Sequence, residues 1–557
     1  MRPRGRGELD SLYFAYPQFS PPDRRSEGVE AHRIVIVGAG PVGLVAALAL
    51  AKQGVRCVLL ERKPTFNDGS RAICVARHSF HIFEQLGALD PFLEKALGWT
   101  TGRTFYHGQQ ILEFSMPHGE NEKFLPMYNI QQQYIEQFLW EAVTREPLIE
   151  LRWQSEVLDV RTTDSKTELI VEDPTGRYGI LSDWLIAADG AHSRIRAARG
   201  LRLEGHNHEG RYLIVDVRMQ HDYPTIRRAL FDPISIPGGT ILIHRQPDDI
   251  WRIDYQISSD DDVEDAMSEA NVRARVASIL DEIGHRGFWE IEWWSTYSAN
   301  TLALRDYRDA NVFFVGDSAH IVPIFGVRGL NNGIADAFNL AWKLARVIKG
   351  QASDTLLESY SHERRGATLD VFQNAVKSTL FMSPPTTGWR LVRNAALSLA
   401  LSHDFAKPFA NPRQMAPYNY FDSPITVLNE AEFETRGAPG TVVPNIKLGD
   451  QQFLTDHFGN GFVGIAFSAN ESDLQDLTTV LHELDPSFSL ITIGAADKST
   501  ITVTDTAIHL RFGIERRGFV LIRPDLYIAA RWNEIDSLTI SKVMRGILGQ
   551  EAQKDAV

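Results

Sequence analysis

At 557 residues, 43% hydrophobic and with 41 glycines and 26 prolines, the chain has an ordinary globular composition and enough length for two to four domains. A formal net charge of −14 and a pI near 5.7 exclude the concentrated basic face that nucleic acid demands. Two cysteines, Cys57 and Cys74, exclude a disulfide framework or a cysteine-rich metal site, no run approaches the roughly 18 apolar residues of a membrane span, and a cytoplasmic protein without metal is the expectation.

Residues 1–31 are polar and rich in Arg and Pro, without the apolar core of a secretory signal. They read as an extended arm packed on a partner subunit or on the first domain. Then comes Arg33-Ile34-Val35-Ile36-Val37-Gly38-Ala39-Gly40-Pro41-Val42-Gly43. Its apolar run predicts a parallel strand covered on both faces, and residues 44–50 have helical composition. Gly38 then permits a tight turn, Gly40 lets the backbone approach a pyrophosphate, and Gly43 lets the helix pack close to the strand, with the helix amides facing the anion. The next apolar run, 56–60, ends at Glu61, which can accept from both hydroxyls of an unphosphorylated adenosine ribose. That favours FAD or NAD over NADP.

After a turn-prone segment at 63–70 stands Arg71, where a guanidinium can hold a phosphate by forked hydrogen bonds. A helix is predicted over 78–86, residues 104–116 alternate like antiparallel strands, and Gln131, Gln132 and Gln133 precede a helix with Glu136 near its start. Strand-like stretches at 156–161 and 168–172 lead to a strand ending in Ala188-Asp189-Gly190-Ala191-His192-Ser193-Arg194-Ile195-Arg196. From 212 to 302 period-two strands, interrupted by one acidic helix near 261–283, predict a β-rich insertion. A third nucleotide-domain strand ends in Val315-Gly316-Asp317-Ser318-Ala319-His320-Ile321-Val322-Pro323, and its loop runs through Gly326 and Gly329 into a helix over 330–348, whose first amides lack backbone partners. Residues 376–410 read as a helical lid or subunit contact, 411–440 as a linker and 441–549 as a small α/β domain.

The three motifs, standing in this order, together resemble the single-component FAD-dependent aromatic hydroxylases, the class A flavoprotein monooxygenases, and within them the phenol hydroxylase and 3-(3-hydroxyphenyl)propionate hydroxylase branch. The resemblance implies an α/β fold: a Rossmann-like FAD-binding domain from 32–205 and 303–375, an inserted β-sheet substrate domain at 206–302, a helical segment and linker at 376–440, and a thioredoxin-like C-terminal α/β domain at 441–557. The last carries Leu521-Ile522-Arg523-Pro524-Asp525, as that branch commonly does, but no cysteine for dithiol chemistry. FAD is the implied cofactor, NADH or NADPH the transient reductant, a small aromatic molecule and O2 the substrates, and a homodimer the expected assembly.

Carried onto matching positions, the family's roles place Gly38, Gly40, Pro41 and Gly43 at the FAD pyrophosphate and Glu61 with Arg62 at the adenosine ribose. Arg71 and Gln132 go to the phosphate and ribityl region, Gly316 and Asp317 to the ribityl chain. Asp189 and Gly190 support FAD and NAD(P)H, with Arg196 close by, and the amides near Gly329, Leu330 and Asn331 face the flavin pyrimidine. Ile324, Val327 and Arg328 stand where many relatives carry a second Pro and a Gly-Gly-Gln. Arg328 is read either as a cation near the flavin or an acidic substrate, or as a salt-bridged residue.

In such a family NAD(P)H reduces FAD, oxygen adds at flavin C4a, and the hydroperoxide hydroxylates an electron-rich ring. Pro323 is then one wall of the substrate site, and His244, Arg252, Tyr255 and Tyr297 on the insertion strands are the candidate catalytic contacts to a phenolic oxygen or carboxylate. Two other functions stay open: a flavin epoxidase or oxidase of a polyketide-like aromatic, and a non-catalytic FAD-binding redox module.

Overall fold

The computed structural model describes all residues except 24–27, 163–165, 259–260, 324–325, 411–415, 429–436, 450–451, 470, 495–506 and 551–557. Ile324 and parts of the expected 411–440 linker therefore lie outside the described residues. The described chain is a mixed α/β fold. Its nucleotide sheet is centred on the strand Val29–Val37, which pairs in parallel with Gly176–Ala187 on one side and Cys57–Leu60 on the other. Val312–Phe314 and Ile149–Arg152 extend the parallel order outward. Ile34, Val35 and Ile36 are fully buried, as a strand covered on both faces requires. Helix Pro41–Lys52 is apolar almost all round because the sheet lies on one side and helix Gly329–Ile348 on the other. Parallel pairing makes these strands end along one edge, so the turns at Gly38, Glu61, Asp189 and Gly316 emerge together.

A second sheet runs in the order His320–Ile321, Trp289–Ala303, Glu204–Met219, Ile250–Ile257, Thr240–Arg245, Arg227–Phe231, Thr101–Tyr106, Gln109–Ser115. The hairpin at 101–115 and the strand His320–Ile321 join it from outside 206–302, and position 206 itself falls within Glu204–Met219. The single acidic helix expected near 261–283 is two, Val263–Ala266 and Glu269–Glu282, because the Ser268 hydroxyl caps the second by accepting from the Asn271 amide. The second of these helices covers one sheet face, burying Leu213, Val215, Ile243, Trp251, Ile253 and Tyr255 beneath Val272, Val276 and Ile279.

The described part of the arm, residues 1–23, packs on its own chain: Phe14 is buried among Phe66, Trp153 and Tyr134, and the Arg2 guanidinium bridges Glu292 of the second sheet to Asp68. Near the C-terminus a four-stranded sheet orders Ser489–Ile493, Val463–Phe467, Gly518–Ile522 and Ile528–Trp532, the first pair parallel and the others antiparallel. It is clamped to the helices behind the nucleotide sheet by Glu363, fully buried, which accepts from Lys343 Nζ at 2.6 Å and from both terminal nitrogens of Arg523 at 2.6 and 2.9 Å. Asp525 in turn holds Arg523 and Asn339. Burial lowers the Lys343 pKa to about 8, and the two cations hold the Glu363 carboxyl far below its ordinary range despite its burial. Replacing Glu363 by Ala leaves buried Lys343 without a hydrogen-bonded carboxylate and Arg523 with Asp525 alone, so a loss of about 3–5 kcal/mol is expected. Urea unfolding followed by tryptophan fluorescence checks this; a midpoint unchanged from wild type would show that the clamp contributes nothing.

Candidate functional site

The glycine turn is built by close approach. Gly38 has φ +104°, and a Cβ there would lie 2.4 Å from the Ala188 carbonyl oxygen. A Cβ on Gly43 would stand 1.8 Å from the Gly38 oxygen. Gly40 differs: only Asn67 Nδ2, at 4.0 Å, comes near its Cβ position, so the space above this turn is open. Pro41, the first residue of the following helix, needs no amide partner, and no side chain caps the helix start. An open Gly40 beneath free helix amides is what a pyrophosphate needs.

Around this turn the polar side chains form a chain of contacts. Glu61 accepts the Ala39 amide at 2.8 Å and the Lys63 amide at 3.0 Å, which fixes it beside the turn. Asn67 is held by Glu136, whose buried carboxylate accepts from the Asn67 amide, Asn67 Nδ2 and Gln132 Nε2. Burial raises the Glu136 pKa while these donors oppose the rise. Gln132 also meets the Ala72 amide, beside Arg71, and both Arg71 and Arg62 are exposed. Sequence reasoning missed Asn67; Glu136 was visible only as a helical acid.

The second and third motifs are sewn together. Ser318 Oγ donates to the Ala187 carbonyl at 2.6 Å, and Arg196 donates to the Ser318 and Ala191 carbonyls at 2.9 and 2.6 Å. Asp189 accepts the Ile195 amide at 3.1 Å at the start of a short helix, while its Oδ1 is buried without a hydrogen-bond partner; burial raises its pKa. Gly190 follows with φ +80°. Asp317 is exposed, yet its pKa is raised chiefly by burial, against the pull of His320, Arg71 and Arg196. Both are true of a carboxylate on the wall of a deep cleft. Beneath it Asp336 accepts the Gly316 amide at 3.0 Å, His320 Nε2 at 2.7 Å and Arg364 Nε at 2.7 Å. Burial works against its charge, but His320 and Arg364 prevail and lower its pKa.

Helix Gly329–Ile348 opens directly against this cluster. A Cβ on Gly333 would lie 2.7 Å from Val42 Cγ2 and 3.1 Å from Gly316 Cα, so the first turn, the Gly316 turn and this helix touch one another. Its first amides have no partner within the helix and no side-chain cap. The Asn331 side chain, however, is fully engaged: Oδ1 accepts from the Ala76 amide and Ser79 Oγ, and Nδ2 donates to the Cys74 and Val327 carbonyls. Only its amide remains for a ligand. Val327 has φ +63°, a conformation β-branched residues rarely adopt, held by that Asn331 bond. Arg328 turns into the protein and donates to the Val371 carbonyl, with Asp370 near it.

The face of the second sheet opposite helix Glu269–Glu282 meets the cofactor loops at Arg252 and Tyr297 and packs at its Thr240 end under Met382, Leu397 and Ala400, and strand parity bears on the substrate contacts expected from sequence. Tyr255 shares parity with Trp251 and Ile253, so it lies under helix Glu269–Glu282, on the wrong face. Arg252 is on the right face but is spent: it forks onto Asp216 and donates to the Ser70 and Arg71 carbonyls, which pins the loop that carries Arg71. Its pKa is raised, Asp216 outweighing burial. The Tyr297 hydroxyl donates to the Val322 carbonyl and so steadies the buried Pro323 rather than facing open space. His244 is buried with Nδ1 unpartnered, and burial drops its pKa to about 3.

A family described as FAD binding domain matches residues 31–375, more than half of the chain. The chain belongs to that family. Among curated relatives, the 3-(3-hydroxy-phenyl)propionate/3-hydroxycinnamic acid hydroxylase of Escherichia coli (strain K12) is 25% identical over 89% of this chain and 91% of its own. The protein of the same name from Mycobacterium sp. (strain KMS) is 26% identical over 92% and 91%. Two solved structures share the fold: the flavin-dependent monooxygenase PieE with FAD and substrate, with a TM-score of 0.77 at 24% identity over 93% of this chain and 99% of its own, and aklavinone-11 hydroxylase with FAD and aklavinone, with 0.76 at 22% over 94% and 100%. The protein is thus an FAD-binding protein by family. The residues present fit the cofactor: an open Gly40, a cleft-wall Asp317 and uncapped helix amides lie on one continuous path.

Two glycine substitutions separate binding from folding. Gly40→Val is expected to leave a folded chain whose FAD affinity falls roughly 10- to 100-fold, the effect of about 1–3 kcal/mol of overpacking. Gly43→Ala, with its impossible Cβ contact, is expected to destabilise the fold itself. Circular dichroism with flavin titration reads both; a Gly40→Val protein that keeps wild-type affinity would refute the pyrophosphate assignment.

Proposed function

We propose that this protein is an FAD-dependent monooxygenase that hydroxylates a phenolic ring, taking electrons from NADH or NADPH and oxygen from O2. The observation that carries the reading is the seam between the sheet and the cofactor cleft. Tyr297 bonds the loop at Val322, and Arg252 bonds the loop at Ser70 and Arg71, so this sheet face is fixed opposite the cleft. A flat ring between the two would sit beside the cofactor and away from water. The relatives named as hydroxylases of phenolic acids support the same substrate class.

In this reading Gly38, Gly40, Pro41 and Gly43 hold the FAD pyrophosphate, Glu61 and Arg62 the adenosine ribose, Arg71 and Gln132 the phosphate and ribityl region, and Gly316 and Asp317 the ribityl chain. Asp189 and Gly190 support FAD and NAD(P)H, and the amides of Gly329, Leu330 and Asn331 steady charge on the reduced ring by preorganised donation. Bound FAD supplies the oxygen activation, one atom going to the ring and the other leaving as water. Pro323 and the sheet exclude bulk water. The C-terminal unit is thioredoxin-like, a reading supported by its one parallel and two antiparallel strand pairs, and its role is structural.

A cytoplasmic homodimer completes the proposal. Among the described residues no helix is long and apolar enough to cross a membrane. Leu391 and Val392 on helix Thr387–Ala400, and Phe405 and Phe409 on the short helix Asp404–Ala410 that packs beside it, stand 61–67% exposed, and apolar exposure of this kind marks association surfaces.

Purified protein with FAD, NADH or NADPH and a panel of phenols, with and without side-chain carboxylates, is expected to show substrate-stimulated NAD(P)H consumption and a product one oxygen atom heavier by mass. NAD(P)H consumption that yields only peroxide with every phenol would contradict the reading. Light scattering is expected to give twice the 62.6 kDa chain mass, and Leu391→Asp with Phe405→Asp to shift it to one chain; a wild-type monomer would dismiss the dimer.

A further inference from the structure

The sheet face opposite helix Glu269–Glu282 carries buried polar atoms that no contact described so far satisfies. Register places Thr104, Ala229, Leu242, Asp254, Ile214 and Ser295 in one row across six strands. In the next row His244 sits directly opposite Arg252. Ala229 and Leu242 of the first row pack under Met382, Leu397 and Ala400, and Asp254 on the adjacent strand is the one charged member of the row. Asp254 Oδ1, Arg227 Nη1, His244 Nδ1 and Thr104 Oγ1 are all buried and lack hydrogen-bond partners. One such atom is unremarkable; several at neighbouring positions of one face indicate an absent polar partner. The nearest cation to Asp254 is Arg252 Nε at 4.0 Å, already forked onto Asp216.

We propose that Asp254 receives the substrate's hydroxyl and accepts its proton, with Arg227 as the cation that steadies the resulting oxyanion. This rests on the phenol-hydroxylating reading above. In the step the substrate O–H bond breaks, the electron pair stays on oxygen, and the proton passes to Asp254 Oδ1. The phenolate is richer in electrons at its ortho and para carbons and so a better acceptor of electrophilic oxygen. No further oxidant or reductant enters this step.

The surrounding groups leave Asp254 as the one suited to the task. His244, on the neighbouring strand, is too weak a base, with a pKa lowered to about 3 by burial and by Arg227 and Arg252. Cys74, facing from the cofactor side, is pushed up to about 12 by burial. Asp216 is locked to Arg252, and Tyr212 is tied to Met382 and Ser383. Asp254 itself is raised to about 7, first by burial and further by Asp216, with Arg252 and Arg227 opposing. Arg227 is lowered to about 10 by burial and stays charged at neutral pH. A carboxylate with that basicity can take a phenolic proton that an ordinary one would not.

The test compares wild type, Asp254→Asn and Asp254→Ala as FAD-loaded full-length proteins. Wild-type kcat/KM for a phenol is expected to fall on the acid side with an inflection near 7, where the carboxylate of the free enzyme protonates. Both variants are expected to keep FAD and lose roughly 100- to 10,000-fold in kcat/KM, without that acid limb. Bound 4-nitrophenol, coloured only as its anion, is expected to ionise in wild type and to stay neutral in both variants at the same pH. If either variant keeps the acid limb and ionises the probe, Asp254 is a structural residue and the inference is overturned while the hydroxylase reading stands. If wild type oxidises no phenol, both fall together.

Discussion

The cofactor cleft depends on one buried carboxylate. Asp336 lies in the helix that opens at Gly329, yet it accepts the amide of Gly316 and the ring of His320, and Arg364 of the next helix closes the other oxygen. A charge in that position would be intolerable unpaired. Because it is paired, the strand end at Val315, the helix start and the glycine turn at Val42 are held in van der Waals contact, and Gly316 and Gly333 are glycines because a side chain would break that contact. Asp317, the neighbouring residue, is thereby aimed at the cleft instead of the core.

The second sheet divides its labour by the period of the strand. One set of alternate residues packs apolar against helix Glu269–Glu282, and the other set bears Arg252, Asp254, His244, Arg227 and Tyr297. Two of these are consumed in pinning cofactor loops, which makes the face rigid relative to the cleft. Those that remain carry the unused hydrogen-bonding capacity. A fold that leaves several buried polar atoms without partners in one place gives up stability there, and binding sites are where such a sacrifice is retained.

Much of this was legible in the chain. The strand at Val29–Val37, the glycine turn, the acid at Glu61 and the Gly316-Asp317 turn are local, since each is dictated by an apolar run and the backbone freedom of the residue after it. The substrate face was not. Tyr255 and Arg252 stand three positions apart, so strand period already puts them on opposite faces, but only the packing and the register against the neighbouring strands show which face helix Glu269–Glu282 covers. Asp254 is not singled out by the sequence, because its burial and its nearness to Arg252, Arg227 and Cys74 come from segments far away in sequence. The split of the acidic helix at Ser268 turned on one capping hydroxyl, a signal present in the sequence and outweighed by the run of charges.

A diffraction structure of the FAD-loaded protein tests the central claim most directly. The expected density is a single extended FAD with its pyrophosphate over Gly40, its ribityl chain along Asp317 and its ring at the first turn of Gly329–Ile348, facing the Asp254 side of the sheet. An FAD lying elsewhere, or a ring turned away from that face, would contradict the account.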